Sequence, residues 1–428
     1  MVENFANKIK SKKLNIAIIG LGYVGLPCFL SFAKRGFGMI GIDINKPLLD
    51  KLKKNINPLT SKKLTIKNNN YFFTDDYSHI SKADVIIICL PTPLTKNKTP
   101  DLSFISNAIS LIGNQIKKGT LICLESTSYP GTTEEYFLPF IIQNKFKPGK
   151  DIFLSYSPER EDPGNTKYNL KNTTKIVSGY SKKCLKIASL LYSEVCEHVH
   201  PVSKLKTAEF TKLLENIYRS VNIGLINELK ILADKMDIDI YEAIKAATTK
   251  PFGYQPFYPG PGLGGHCIPI DPYYLTWKAK EFGFNTRFTE LSAQINDNMP
   301  YYILDKVSFC LNLYMKNISN SKILILGLAY KKNISDIREA PSLKIIELLT
   351  QNNSDLYIND PYCKLPKLSK YKNIKSVNSK ELKFNFYDLI IIITDHDCYN
   401  YENILKNSKI IIDTRGRYIP DNKKVFRA

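Results

Sequence analysis

A chain of 428 residues with 43% hydrophobic content is longer than one ordinary core sustains, and it carries apolar material for two or three globular domains. No apolar run nears the roughly 20 residues that span a bilayer, and the first dozen residues alternate lysine with polar residues and lack the apolar stretch of a secretory signal; a cytoplasmic protein without membrane partners is expected. The formal charge of +20 favours phosphate-bearing partners, but the lysines are spread along the chain without zinc-finger spacing, an RNA-binding aromatic motif or a basic-region helix, which points to a small phosphorylated substrate and away from nucleic acid.

From residue 14 onward short apolar runs at 14–19, 38–42, 85–90, 121–125 and 152–155 alternate with helical patterns. Such alternation predicts a parallel sheet covered by helices on both faces, the doubly wound α/β class. Gly20, Gly22 and Gly25 form GLGYVG directly after the first run, with the helical pattern 26–35 behind them. The first glycine permits a tight turn, the second lets backbone approach a pyrophosphate, and the third lets helix pack closely on strand. Asp43 closes the next run, near the roughly 20-residue spacing at which an acid binds ribose hydroxyls and favours NAD over NADP. Two further strand ends, 90–93 and 125–127, fall where open α/β sheets bind ligands. The cofactor-binding residues expected for NAD are therefore Gly20, Gly22, Tyr23, Val24, Gly25, Asp43, Pro91, Thr92 and Thr127.

The stretch 204–250 repeats apolar residues at spacings of three and four (Phe210, Leu213, Leu214, Ile217, Val221, Leu225) and predicts one long helix. A Pro/Gly-dense segment follows at 251–265, then helical pattern to about residue 316. Beyond residue 322 a second set of strand-like runs, at 323–326, 356–358, 389–393 and 410–412, predicts another α/β domain. Three regions result: 11–202, 203–316 and 317–428.

Nine cysteines, an odd number without a CxxC pair, argue against a disulfide framework and a zinc site, and no metal is expected. Cys89 and Cys123 lie within apolar runs and read as inert core residues. Cys267 differs. It follows the Gly/Pro-rich loop of PGPGLGGHCIPIDPYY (259–274), and Pro269 suits the first turn of a helix, which would put Cys267 at a helix N-terminus, where a thiol is acidified. Asp271 would lie one turn on, and Lys212 and Asn216 share a face of the long helix at i and i+4. His266 is adjacent to the cysteine, where side chains diverge, and reads as a loop or substrate contact.

GLGYVG, the PTP at 91–93, ESTSYPGTT at 125–133, SPER at 157–160, KLLEN at 212–216, GGHCIPID at 264–271 and GLAYKKNISDIRE at 327–339 together resemble the UDP-glucose/GDP-mannose dehydrogenase family, in order and over nearly the whole chain. Within it the loop at 258–272 is most similar to the branch acting on UDP-N-acetylhexosamines. The resemblance implies an NAD-binding Rossmann domain, a central helix used for dimerisation or higher homo-oligomers, and a C-terminal domain that helps bind UDP. It implies catalytic roles for Thr127, Glu159, Lys212, Asn216, Cys267 and Asp271, and substrate contacts from Glu159, Arg160, Lys212, Asn216, Tyr258, Gly264, His266, Lys331 and Arg338. The implied reaction is the four-electron oxidation of the C6 alcohol of UDP-N-acetylglucosamine to a carboxylate through a thioester on Cys267, with UDP-N-acetylmannosamine, UDP-glucose and GDP-mannose as rival substrates; the product would feed a surface polysaccharide or capsule. One position departs from the pattern: some relatives carry a second acid four residues after the SPE glutamate, where this chain has Pro163. A dinucleotide-binding regulator that has lost catalysis would be expected to show a broken constellation; here Lys212, Asn216, Cys267 and Asp271 are all present.

Overall fold

The computed structural model describes residues 2–60, 62–66, 70–160, 165, 167–265, 268–366, 371, 374–421 and 423–428. The chain divides into two compact units, Met1–Glu215 with Tyr273–Phe284, and Asn216–Pro272 with Asn285–Ala428.

The first unit holds a sheet of β1 (Asn15–Ile19), β2 (Gly38–Ile42), β3 (Tyr71–Thr74), β4 (Val85–Ile88), β5 (Leu121–Leu124), β6 (Phe153–Tyr156), β7 (Lys175–Gly179) and β8 (Val199–Pro201). Their spatial order is β3-β2-β1-β4-β5-β6-β7-β8, and every neighbouring pair is parallel except β6 and β7. The strands are Ile-, Val- and Leu-rich because both faces are covered: Ile16, Ile18, Val85, Ile87 and Leu121 are buried with Phe29 and Phe32 of the helix Gly25–Lys34. The order reverses between β1 and β4, which makes their carboxyl ends the switch point where such sheets bind ligands.

The second unit repeats this order. Its sheet runs β11 (Lys375–Ser376), β10 (Asp355–Asn359), β9 (Lys322–Leu326), β12 (Leu389–Ile392), β13 (Ile411–Asp413), β14 (Val425–Arg427), all parallel. The turn after β9 copies the turn after β1. Gly20 (φ +90°) donates to the Ile42 carbonyl at 2.8 Å, and the Leu21 amide donates to Asp43 Oδ2 at 2.7 Å. Gly327 (φ +92°) donates to the Asn359 carbonyl at 2.9 Å, and the Leu328 amide donates to Asp360 Oδ2 at 2.6 Å. The doubly wound α/β architecture expected for both ends of the chain is thus present, joined in sequence by a long helix.

That helix is shorter than its apolar pattern predicts. It spans Leu205–Lys235 and then breaks, with Asp237 in the left-handed region at φ +55°. Asp239 accepts from the Tyr241 amide and opens a separate helix, Ile240–Ala247. Periodicity survives this break, which is why the sequence alone reads as continuous. In the first unit, Glu209 of the long helix accepts from the Thr133 amide at 2.8 Å and the Thr133 hydroxyl at 2.6 Å, so ESTSYPGTT ends in a helix start capped from elsewhere in the chain. Among the described residues no helix is long and apolar enough to cross a membrane.

Candidate active site

The dinucleotide turn is built as the glycines require. A Cβ at Gly20 would come within 2.6 Å of the Cys89 carbonyl oxygen, and one at Gly25 within 1.8 Å of the Gly20 carbonyl oxygen, so neither position admits a side chain. Gly22 is different: nothing lies within 4 Å of where its Cβ would be, which leaves open space over the turn. Tyr23 is exposed, and Val24 directly precedes the helix Gly25–Lys34 without a side-chain capping bond. Asp43 follows β2 and accepts from the Leu21 and Asn45 amides at 2.7 and 2.8 Å. An open cradle of backbone beside a helix start, with a carboxylate at the next strand end, fits the pyrophosphate and ribose of NAD.

The adjoining strand ends bring further predicted residues to the same edge of this sheet. Pro91 and Thr92 follow β4; Thr92 is buried and its carbonyl accepts from the Tyr274 hydroxyl at 3.1 Å. Thr127 follows β5, half-buried, and Glu159 follows β6, buried. Lys212, on the long helix, is 7% exposed, and its ammonium donates to the Glu159 carbonyl oxygen at 2.6 Å. Arg160 is tied down: its guanidinium pairs with Glu215 at 2.8 Å and donates to the Thr174 carbonyl at 2.7 Å.

Behind Glu159 lies a residue the sequence did not single out. Lys175 opens β7 and is 2% exposed, with Nζ 2.9 Å from Glu125 Oε2 and 3.8 Å from Glu159 Oε2. Burial disfavours its charge, but the carboxylates of Glu125 and Glu159 outweigh that and hold Lys175 above the ordinary lysine range. The Tyr192 hydroxyl donates to the other oxygen of Glu125. A lysine at the head of KIVSG looks like a strand-edge residue in sequence; only the pairing across 50 positions reveals it.

In the second unit Asn216 and Asp271 are joined, the Asn216 amide donating to Asp271 Oδ2, and both are buried. Gly264 is packed against Tyr330, whose Cβ would lie 2.4 Å from an added Cβ, and the Gly265 amide donates to the Arg338 carbonyl at 2.9 Å. The Arg338 guanidinium chelates Asp336, at 2.6 Å for Nη2, and Lys331 is half-buried in the same segment. Tyr258 is exposed, its ring stacked on Tyr241 with centroids 6.4 Å apart. His266 and Cys267, and Pro163 where the family pattern is broken, lie outside the described residues. The helix after the cysteine begins at Asp271, preceded by a turn at 268–270. Pro269 therefore precedes the helix and does not fill its first turn, and Asp271 is its first residue, where a carboxylate suits the positive end of the helix dipole. None of the eight described cysteines is in a disulfide, and five of them are buried. Burial pushes the Cys123 thiol up to about 12 and the Cys28 and Cys89 thiols upward too, as suits inert core residues.

A glycine turn at the switch point of a parallel sheet, an acid closing the next strand, and an ammonium and a carboxylate at the neighbouring strand ends define a dinucleotide-binding dehydrogenase of the Rossmann class. The NAD binding domain of the UDP-glucose/GDP-mannose dehydrogenase family matches residues 14–196, its central domain residues 206–298 and its UDP binding domain residues 324–420. Protein CapL of Staphylococcus aureus is 38% identical over 94% of this chain and 96% of its own. The UDP-N-acetyl-D-glucosamine 6-dehydrogenase of Pseudomonas aeruginosa is 33% identical over 93% of this chain and 95% of its own. The solved structure of a UDP-D-ManNAc dehydrogenase from Pyrococcus horikoshii superposes with a TM-score of 0.86 at 31% identity, covering 97% of this chain and 99% of that one. The chain belongs to the UDP-glucose/GDP-mannose dehydrogenase family, and is an NAD-dependent nucleotide-sugar dehydrogenase.

Proposed function

We propose that the protein oxidises the C6 hydroxyl of a UDP-N-acetylhexosamine, UDP-N-acetylglucosamine foremost, to the carboxylate through a covalent intermediate on Cys267. The observation that carries this reading is the tie of Lys212 to the loop after β6: its buried ammonium donates to the main-chain carbonyl of Glu159 at 2.6 Å, and Glu159, itself buried, follows a strand of the sheet that bears the dinucleotide turn.

Bound NAD supplies the hydride acceptor for each of the two oxidations. A water held by Asp271 takes the proton of the C6 hydroxyl. The Cys267 thiolate then forms a C–S bond to the C6 aldehyde, and the alkoxide that develops is stabilised by the Lys212 ammonium and the second amide N–H of Asn216. After the second oxidation the sugar is a thioester. Glu159 takes a proton from water oriented by Thr127; the water oxygen attacks the acyl carbon, the C–S bond breaks, and the thiolate is restored. Covalent capture keeps the aldehyde from leaving. Tyr258, Gly264, His266, Lys331, Arg338 and Arg160 are assigned to substrate, Lys331 and Arg338 around the nucleotide.

The long helix supports a homodimer. Phe210, Leu214, Tyr218, Leu225, Leu229 and Leu232 are exposed on it, while Leu213 and Ile217 are buried, so it bears more apolar surface than its own chain covers. A cytoplasmic location, where NAD and nucleotide sugars meet, belongs to the same reading.

UDP-N-acetylmannosamine is the second reading, favoured by the likeness to the Pyrococcus horikoshii structure. NADH formation measured with UDP-N-acetylglucosamine, UDP-N-acetylmannosamine, UDP-glucose and GDP-mannose separates them. The highest kcat/KM is expected with UDP-N-acetylglucosamine; a preference for the mannosamine epimer overturns that assignment, and one for UDP-glucose or GDP-mannose overturns the N-acetylhexosamine class.

A further inference from the structure

Lys175, Glu125, Tyr192 and Glu159 form a buried array in the first unit. Lys175 Nζ stands between two carboxylates, 2.9 Å from Glu125 and 3.8 Å from Glu159, with its side chain 2% exposed and that of Glu125 fully buried. Glu125 is anchored from behind: Tyr192 donates to its other oxygen, and the Cys123 thiol lies 3.2 Å from that hydroxyl. Glu125 follows β5, Glu159 follows β6, and Lys175 begins β7, so three strands of one sheet fix three charges. Isolated burial of an ammonium is costly unless it is paired on more than one side. The pairing here is unequal. The shorter contact goes to the anchored Glu125, and the longer one reaches the carboxylate proposed to activate water.

We propose that Lys175 is a positioning residue for Glu159: held by Glu125, its ammonium fixes the Glu159 carboxylate in the orientation from which it takes a proton from the hydrolytic water. This rests on the assignment of Glu159 to thioester hydrolysis. In this role Lys175 touches neither sugar nor cofactor, and it acts only on the last step. Its loss should leave both oxidations intact and slow release of the acid.

Removing the lysine alone would leave Glu125 buried without a counter-charge, so the test is made in a Glu125→Gln background, where the amide that replaces the carboxylate keeps a hydrogen bond with Tyr192. Relative to Glu125→Gln, the double variant Lys175→Met/Glu125→Gln should form a burst of about two NADH per active site and then turn over roughly tenfold to a hundredfold more slowly, the scale expected for a misplaced catalytic group. KM for the UDP-sugar should stay within about twofold, since uniform binding is untouched. Lys175→Gln in the same background should behave likewise, and Lys175→Arg in the otherwise unaltered enzyme should restore hydrolysis. A double variant that melts like its parent and turns over at the parent's rate overturns the proposal. So does a raised KM without a burst, which indicates a merely structural role. Glu159→Gln is the separate control: if it hydrolyses the thioester at the unaltered rate, the Glu159 assignment itself falls. If it accumulates thioester while the Lys175 variants do not, only the positioning role is lost.

Discussion

The ammonium of Lys212 donates to the main-chain carbonyl of Glu159 at 2.6 Å, which fixes a cation on the long helix to the loop that follows β6. Both residues are buried, so the charge is held ready and is not recruited from solvent. Preorganised donors of this kind lower a barrier by about 3–4 kcal/mol. Lys212→Ala is expected to reduce kcat by roughly a hundredfold or more in a steady-state NADH assay. A loss of only about twofold would take Lys212 out of the chemistry.

The dinucleotide turn separates folding from binding at neighbouring glycines. Gly25 has no room for a Cβ, which would sit 1.8 Å from the Gly20 carbonyl oxygen, whereas Gly22 faces open space. Gly25→Ala should cost about 1–3 kcal/mol through overpacking and lower the melting temperature. Gly22→Ala should melt like the unaltered protein and bind NAD more weakly, because the added methyl enters the space that backbone and pyrophosphate share. Thermal melts paired with NAD titration check both; a Gly22→Ala protein with unchanged NAD affinity would place the pyrophosphate elsewhere.

Acid should weaken the second unit through Asp360. Burial pushes this carboxyl up, but His396 and the Leu328 and Ala329 amides outweigh it and hold the group at about 2. The Asn333 amide donates to His396 Nδ1 at 2.9 Å, so Nε2 carries the proton directed at Asp360, 3.0 Å away. The folded value lies below the unfolded one of about 3.9, so the ionised carboxylate stabilises the fold above pH ~4, and that contribution fades as pH falls towards ~2. Its full size is about 2–3 kcal/mol. Denaturant titrations between about pH 5 and pH 2, the window those two values set, should show a steeper loss of stability in the unaltered protein than in Asp360→Asn; parallel slopes would contradict the assignment.

Residues whose chemistry is local are legible in the sequence. Ile-rich runs such as 85–90 announce strands buried on both faces, and GLGYVG with Asp43 announces the cofactor turn, because turn and acid are bound by backbone geometry within one part of the sheet. The 85–90 run overstates its strand, which ends at Ile88, since Cys89 and Leu90 stay apolar after the ladder stops. β3, β7 and β11 are too short or too polar to stand out. The second copy of the turn is hidden for another reason: Gly327-Leu328-Ala329 keeps only the first glycine, and its acid, Asp360, is recognisable only once Leu328 and Ala329 are seen to donate to it. Lys175 is illegible for the same cause, long-range pairing, and Asp237 ends the long helix early through a backbone twist that leaves the apolar period unbroken.

Covalent catalysis by Cys267 is decided by the product and cofactor stoichiometry of the unaltered enzyme and of Cys267→Ser. With UDP-N-acetylglucosamine the unaltered enzyme should release two NADH per uronic acid formed, and the serine variant, whose hydroxyl is a far poorer nucleophile, should form no acid. One NADH per sugar, or acid formation by Cys267→Ser at the unaltered rate, would contradict a covalent route through this thiol.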